Sequence, residues 1–230
     1  MTKNILLIGG SHGIGFEIAK ALLDNYTVYV ASRTNEQLGN LDVNYIPFDA
    51  TNDTLDESQL PSELHGFAYC PGSINLKPFK MLSLETFKED MEVNFFGMVN
   101  VVKSIMPIMA EGASMVFFST VAVGTGMPFH TSVAAAKGAI EGFAKSLAAE
   151  YAPKIRVNTI APSLVDTPLA GRLLSNDKKK ELMAQRHPLK RFGKAEDIAN
   201  LAVFLLGDKS SWMTGQVLGA DGGISTLNIN

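Results

Sequence analysis

The chain begins with an apolar run, Asn4 to Ile8, that passes directly into Gly9, Gly10, Ser11, His12, Gly13, Ile14 and Gly15 and then into the amphipathic stretch Phe16 to Leu23. An apolar strand, a glycine-rich turn and a helix in direct succession restrict the fold more than anything else in the sequence. A turn largely free of Cβ atoms lets backbone N–H groups approach a pyrophosphate, and the first helical turn adds the positive end of its dipole. The spacing G-x-x-x-G-x-G is looser than G-x-G-x-x-G, and three glycines also suit any tight turn. The next apolar run favours the phosphate cradle. Thr27 to Ala31 predicts a second strand, and it ends in Ser32 and Arg33, where the adenosine ribose of a dinucleotide would lie.

The same rhythm continues. Asn44 to Phe48 predicts a third strand that stops at Asp49-Ala50-Thr51, and the polar segment from Asn52 to Glu63 predicts a short helix or loop. His65 to Cys70 predicts a fourth strand, punctuated by Pro71-Gly72. Leu84 to Met109 carries Phe87, Met91, Val93, Phe95, Met98, Val102 and Met106 at helical spacing, which predicts a long helix with one break. Ala113 to Ser119 predicts a fifth strand, and Ser132 to Tyr151 an alanine-rich helix with Gly138 and Gly142 on its faces. Ile155 to Ile160 predicts a sixth strand stopped by Pro162, Asp166 to Arg186 a polar helix, Ala195 to Leu206 an amphipathic helix and Gln216 to Ala220 a seventh strand. Strands alternating with helices predict an α/β fold whose parallel sheet is covered on both faces. With 230 residues and 46% hydrophobic content, a single domain over 1–230 can bury one substantial core.

A formal net charge of -3 leaves no basic footprint, so neither nucleic acid nor an anionic membrane is an expected partner. The basic run Lys178 to Lys180 fits a solvated helix face. Cys70 is the only cysteine, which excludes an intrachain disulfide and argues against a cysteine-based metal site; no metal is expected. The first apolar segment is too short for a signal peptide, and no run reaches the length of a membrane span. The expected location is cytoplasmic.

Over essentially its whole length the sequence resembles the short-chain dehydrogenase/reductase family. The resemblance rests on Gly9-x-x-x-Gly13-Ile14-Gly15, Asp49-Ala50-Thr51, Asn94 within Val93-Asn94-Phe95-Phe96-Gly97, and Lys137 within Ala134-Ala135-Ala136-Lys137. It continues through Arg156-Val157-Asn158-Thr159-Ile160-Ala161-Pro162, Pro188-Leu189-Lys190-Arg191-Phe192-Gly193, Met213-Thr214-Gly215-Gln216 and Asp221-Gly222-Gly223. It implies a Rossmann-type doubly wound sheet of about seven strands, assembled as a homodimer or homotetramer through the two long central helices. It also implies a nicotinamide cofactor held by Gly9, Ser11, His12, Gly13, Ile14 and Gly15 of the turn, by Ser32, Arg33, Asp49, Ala50 and Gly72, and by Asn94, Lys137, Pro162 and Thr167. A small-molecule substrate would lie against residues 164–187.

The chemistry departs from the pattern. In the family a tyrosine four residues before the lysine exchanges a proton with the substrate oxygen, yet Val133 stands there and has no proton to give. The family serine thirteen residues before the tyrosine falls on Thr120, with Ser119 as the alternative one register away; Asn94 matches the asparagine that holds a relay water near the lysine. Thr131, Ser132 and His130 lie close enough in sequence to replace the tyrosine, and His130 is the chemically apt one because an imidazole titrates near neutral pH. An exposed loop histidine is the bland account of it. The asparagine-rich turn of the family is Cys70-Pro71-Gly72 here, and Ser163 follows Pro162 where a glycine is usual.

The end of the second strand carries no acid before Glu36, and Arg33 can pair with a 2′-phosphate, so the expected cofactor is NADP(H). His12, just before Gly13, sits where NADP-dependent relatives often carry a basic residue. Two functions fit: an NADP(H)-dependent oxidoreductase acting on a carbonyl or another polarised double bond with a non-standard proton donor, or a catalytically silent NADP(H)-binding protein. Lys137, Asn94 and Thr120 favour the first; Val133 favours the second.

Overall fold

The computed structural model of the protein describes residues 2–228. In chain order, β1 (Lys3–Ile8), α1 (Gly13–Leu22), β2 (Tyr26–Ser32), β3 (Asn44–Pro47) and β4 (Leu64–Tyr69) come first. They are followed by α2 (Leu84–Met91), α3 (Gly97–Ile105), β5 (Met109–Phe118), the short α4 (Ala122–Thr125), α5 (Thr131–Tyr151) and β6 (Ile155–Pro162). The two-residue strands β7 (Val165–Asp166) and β8 (Gly193–Lys194) pair with each other on either side of α6 (Asp177–Gln185), before α7 (Ala195–Leu206) and β9 (Val217–Ala220).

Seven strands make one sheet in the order β3-β2-β1-β4-β5-β6-β9, all pairs parallel. The strand order reverses between β1 and β4, so the carboxyl ends of these two strands open the crevice where an open α/β sheet takes its ligand. Alternation along each strand divides the core in two. Leu6, Ile8, Phe67, Tyr69, Met115 and Phe117 face the layer built from Met98, Val102 and Ile105 of α3 and Ile140 of α5. Ile5, Leu7, Ala68, Val116 and Phe118 face the other layer, with Ile18 and Leu22 of α1 and Ile198, Ala202 and Leu205 of α7. Burial on both faces is why these strands read as continuous apolar runs.

One expectation is met and one is corrected. The helical stretch expected from Leu84 to Met109 runs from Leu84 to Ile108, its break being a π-turn over Glu92–Phe96 between α2 and α3; Pro107 lies in a closing 3-10 turn over Met106–Ile108, and Met109 already opens β5. The π-turn keeps the apolar rhythm while turning Asn94 inward, and proline cannot donate the N–H that would continue α3. The segment from Asp166 to Arg186 is helical only over Asp177–Gln185, where the Asn176 side chain accepts from the Lys179 N–H as an N-cap. Its first half contains β7 and a 3-10 turn, Pro168–Ala170. Net polarity there reflects solvent exposure, not one helix.

Candidate active site

Glycine is required at the turn after β1. Gly9 and Gly13 have φ of 76° and 53°, a region costly for residues with a Cβ. A Cβ on Gly15 would stand 2.4 Å from the Gly9 carbonyl oxygen, and one on Gly10 would stand 2.8 Å from Val30 Cγ1. The Gly9 N–H donates to the Ala31 carbonyl at 2.8 Å, which ties the turn to the end of β2. Gly15→Ala is therefore expected to destabilise the protein by about 1–3 kcal/mol through overpacking against backbone. Urea denaturation followed by circular dichroism measures it, and an unchanged midpoint would contradict this packing. Across the cleft, Thr167 closes on the turn: a Cβ on Gly13 would be 3.3 Å from Thr167 Cβ. Thr167 precedes a 3-10 turn without capping it through its side chain.

At the adenosine end, Ser32 is buried and its Oγ donates to the Thr34 carbonyl at 2.9 Å. Ser32 thus shapes the turn that leaves Arg33 exposed. Among the described residues Arg33 has no ion-pair partner. Asp49 accepts from the N–H and Oγ1 of Thr51 and from Asn52 Nδ2, and these hydrogen bonds, helped by the nearby Arg33 charge, hold its carboxyl below the usual range. His12 is exposed, with Nδ1 2.8 Å from Ser11 Oγ. Ile14 and Ala50 are partly buried, at the start of α1 and beyond β3.

Of the predicted catalytic residues, Lys137 and Asn94 come together over Gly72, beyond the end of β4. Lys137 on α5 is 8% exposed and its Nζ donates to the Phe118 carbonyl at 2.9 Å. Burial pushes the lysine down to about 8, a shift that the Cys70 thiol and Asp90 oppose. A Cβ on Gly72 would lie 3.2 Å from Asn94 Oδ1 and 3.4 Å from Lys137 Nζ, so glycine leaves the space between the two polar atoms open. Asn94 is fully buried; its Nδ2 donates to Ser73 Oγ and to the Asp90 carbonyl, while its Oδ1 has no partner.

Hydroxyl partners sort the other candidates. Ser119 is buried and donates to Glu141 Oε1, so it is committed to α5, whereas the half-buried Thr120 accepts only a 3.3 Å contact from the Ala122 N–H. Ser132 is 1% exposed and directed to the Thr86 carbonyl of α2. His130 sits just before α5 with Nδ1 2.7 Å from the Pro128 carbonyl oxygen, held there and joined by no hydrogen bond to Lys137, Asn94 or Thr120. Val133, one turn before Lys137 on α5, is buried.

Some motif residues are structural. Arg156 spans from β6 to the carbonyls of Gly207, Ser210 and Met213, and Asn158 holds the Met213 carbonyl and the Gln216 N–H, so both fasten the approach to β9. Sequence reasoning missed Asp90, a fully buried carboxylate that accepts from Ser73 Oγ and Asn75 Nδ2. The only available signal was an acid one turn before Asn94. It also missed His187, 3% exposed, whose Nε2 is 2.9 Å from Ser163 Oγ and whose Nδ1 is 2.9 Å from the Met183 carbonyl oxygen. Among the described residues no cluster of three or more histidine, cysteine or acidic side chains is arranged to hold a metal ion, and no helix is long and apolar enough to cross a membrane.

The family model described as enoyl-(acyl carrier protein) reductase matches residues 9–225. The chain belongs to the short-chain dehydrogenase/reductase family. Short-chain dehydrogenases/reductases are oxidoreductases that use nicotinamide cofactors, and the protein is similar to several over nearly its full length. It is 31% identical to a 3-oxoacyl-(acyl-carrier-protein) reductase of Chlamydia trachomatis, covering 98% of both chains. It is 32% identical to an L-xylulose reductase of Bos taurus, covering 96% of both. In three dimensions it matches a short chain dehydrogenase family protein of Francisella tularensis with a TM-score of 0.90 at 28% identity, over 99% of this chain and all of that one.

Proposed function

We propose that the protein is an NADP(H)-dependent oxidoreductase that reduces a carbonyl or another polarised double bond, with a proton donor other than a tyrosine at position 133. The observation that carries this is the pair of buried polar side chains, Lys137 and Asn94, that border the space over Gly72, a costly arrangement for a protein that only needs to fold. The residues fit a dinucleotide: the turn is built where added Cβ atoms would collide, and Asn94 Oδ1 is a buried acceptor without a partner. When bound, the reduced nicotinamide supplies a hydride.

The chain's own residues supply position and charge. Arg33 pairs with the 2′-phosphate, Asp49 meets the adenine amino group, and Thr167 holds the carboxamide side of the nicotinamide. Pro162 shapes the floor at the end of β6, where Ser163 leads into the 164–187 segment over the substrate. Lys137 holds the ribose hydroxyls as an ammonium, and Thr120 hydrogen-bonds the substrate oxygen. With its pKa pushed down to about 8, Lys137 keeps a proton at pH 7 and can release it without a large penalty, and His130 at the entrance to α5 is the second candidate donor. The relatives' names, a 3-oxoacyl thioester reductase and a sugar reductase, make small ketones and 3-oxoacyl thioesters the first substrates to assay.

A silent cofactor-binding protein is the second reading, and Val133 is the observation that favours it. Consumption of NADPH and NADH against aldehydes, ketones, quinones, enones and 3-oxoacyl thioesters separates the two. The proposal expects turnover with NADPH preferred; tight binding of NADPH without turnover on any of these substrates would support the second reading.

A further inference from the structure

Asp90 lies in α2 with no measurable solvent exposure, and a carboxylate without compensation is costly at that depth. No cation lies within ion-pairing distance of it among the described residues. Its Oδ1 takes two hydrogen bonds, from Ser73 Oγ at 2.5 Å and from Asn75 Nδ2 at 2.7 Å, and its Oδ2 has no partner. Ser73 Oγ in turn accepts from Asn94 Nδ2 at 2.8 Å, so donors run in one direction from Asn94 through Ser73 to the carboxylate. The opposite end of the same amide, Asn94 Oδ1, borders the space over Gly72 that Lys137 Nζ borders from the other side. Asn94 therefore presents its negative end toward the ammonium and its positive end toward the carboxylate. That polarity suits one buried cation and one buried anion separated by a single side chain.

We propose that Asp90 is the counter-ion of Lys137, a positioning residue that acts through Asn94 and Ser73 to keep the lysine charged and so sets the pH range over which the cofactor ribose is held. The inference rests on the role given to Lys137 under Proposed function. The other groups near the pair are neutral or bound elsewhere. Burial pushes the Cys70 thiol up to about 12, so it is neutral at physiological pH. Tyr69 is likewise pushed up by burial, and its hydroxyl donates to the Val93 carbonyl. Glu141, one turn on in α5, takes the Ser119 hydroxyl. From β5, Lys137 meets only the Phe118 carbonyl.

Burial lowers the lysine to about 8, against the opposing influence of Cys70 and then of Asp90. The ammonium is present below that pH and lost above it, and removing the opposing carboxylate moves the loss further down. The test is NADPH affinity from pH 6 to pH 9 for the wild type, Asp90→Asn and Ser73→Ala. Wild-type affinity is expected to fall as pH rises through about 8. In Asp90→Asn the fall is expected about one pH unit lower, so that binding is about tenfold weaker than wild type at pH 9 and close to wild type at pH 6. Ser73→Ala keeps the carboxylate but breaks the link from Asn94 to it, so its midpoint is expected between those of the wild type and Asp90→Asn; a wild-type midpoint in Ser73→Ala would overturn the route through Ser73. A folded Asp90→Asn with the wild-type midpoint would overturn the proposal.

A second readout needs no variant of Asp90. The assigned carbon-13 resonance of the Asp90 carboxyl is expected to report an ionised group from pH 6 to pH 8 in the wild type and a protonated one in Lys137→Met. A protonated Asp90 in the wild type would overturn the proposal even if Asp90→Asn does not fold. Absence of NADPH binding at every pH would reject the cofactor role of Lys137 instead, and the carboxyl resonance would still decide the charge pairing.

Discussion

Val133→Tyr is expected to raise carbonyl reduction with NADPH by roughly 10²-fold or more, the scale on which a positioned general acid contributes. Residues 133 and 137 lie one turn apart on the same face of α5, and both are buried, so a phenol at 133 would stand beside Lys137 Nζ. The ammonium would favour the ionised phenol and bring its pKa down toward the working range. Thr120 has a hydroxyl occupied only by a long contact, and Asn94 Oδ1 is free to hold a relay water, so the remaining parts are in place. The cost is volume: a tyrosine replacing a buried valine is expected to lower stability by about 1–3 kcal/mol where it does not extend into the cleft. Measuring kcat/KM together with the denaturation midpoint separates the two effects. Flat or reduced activity in a stable, cofactor-binding variant would show that the proton comes from elsewhere. His130→Ala, Thr120→Val and Ser132→Ala then locate it, with the least change expected from Ser132, whose hydroxyl already faces the Thr86 carbonyl.

Arg33→Ala should weaken NADPH about ten- to a hundredfold and leave NADH nearly unchanged. Hydrogen bonds between a guanidinium and a phosphate are worth about 1.5–3 kcal/mol, which converts to that range. The side chain is exposed at the end of β2 and has no ion-pair partner among the described residues, so no competing contact has to be broken before it meets a 2′-phosphate. Titration of both cofactors at two salt concentrations measures the effect, since an exposed charge pair weakens as salt rises. Equal affinities for NADPH and NADH in the wild type, or an unaltered preference in Arg33→Ala, would remove the assignment.

The parts of the protein legible in the sequence are those whose cause is local. The run from Asn4 to Gly15 announces strand, turn and helix because a buried parallel strand must be apolar throughout and because Gly9, Gly13 and Gly15 sit where a Cβ fails. Lys137 and Asn94 are visible by motif, and the structure brings them together over Gly72. Asp90 is invisible because an acid on a helix reads as a solvated face; its hydrogen-bond donors, Ser73 and Asn75, come from the loop after β4, 15 to 17 residues away. Ser163 and His187 are 24 residues apart, and nothing at either position announces the hydrogen bond that joins them. The long apolar rhythm after Leu84 hides a π-turn, since one inserted residue shifts the helical phase without changing composition. Polar composition from Asp166 to Arg186 reports exposure alone, and exposure does not distinguish a helix from a ribbon and a 3-10 turn.

The most direct test of the central claim is transfer of label. The wild-type protein, incubated with NADPH deuterated at the hydride-bearing carbon and the carbonyl panel, is expected to yield a product carrying one deuterium at the former carbonyl carbon, with an equal amount of NADP+ formed. Tight NADPH binding without label in any product, from the wild type and from Val133→Tyr alike, would contradict an oxidoreductase and leave a protein that binds the cofactor without using it.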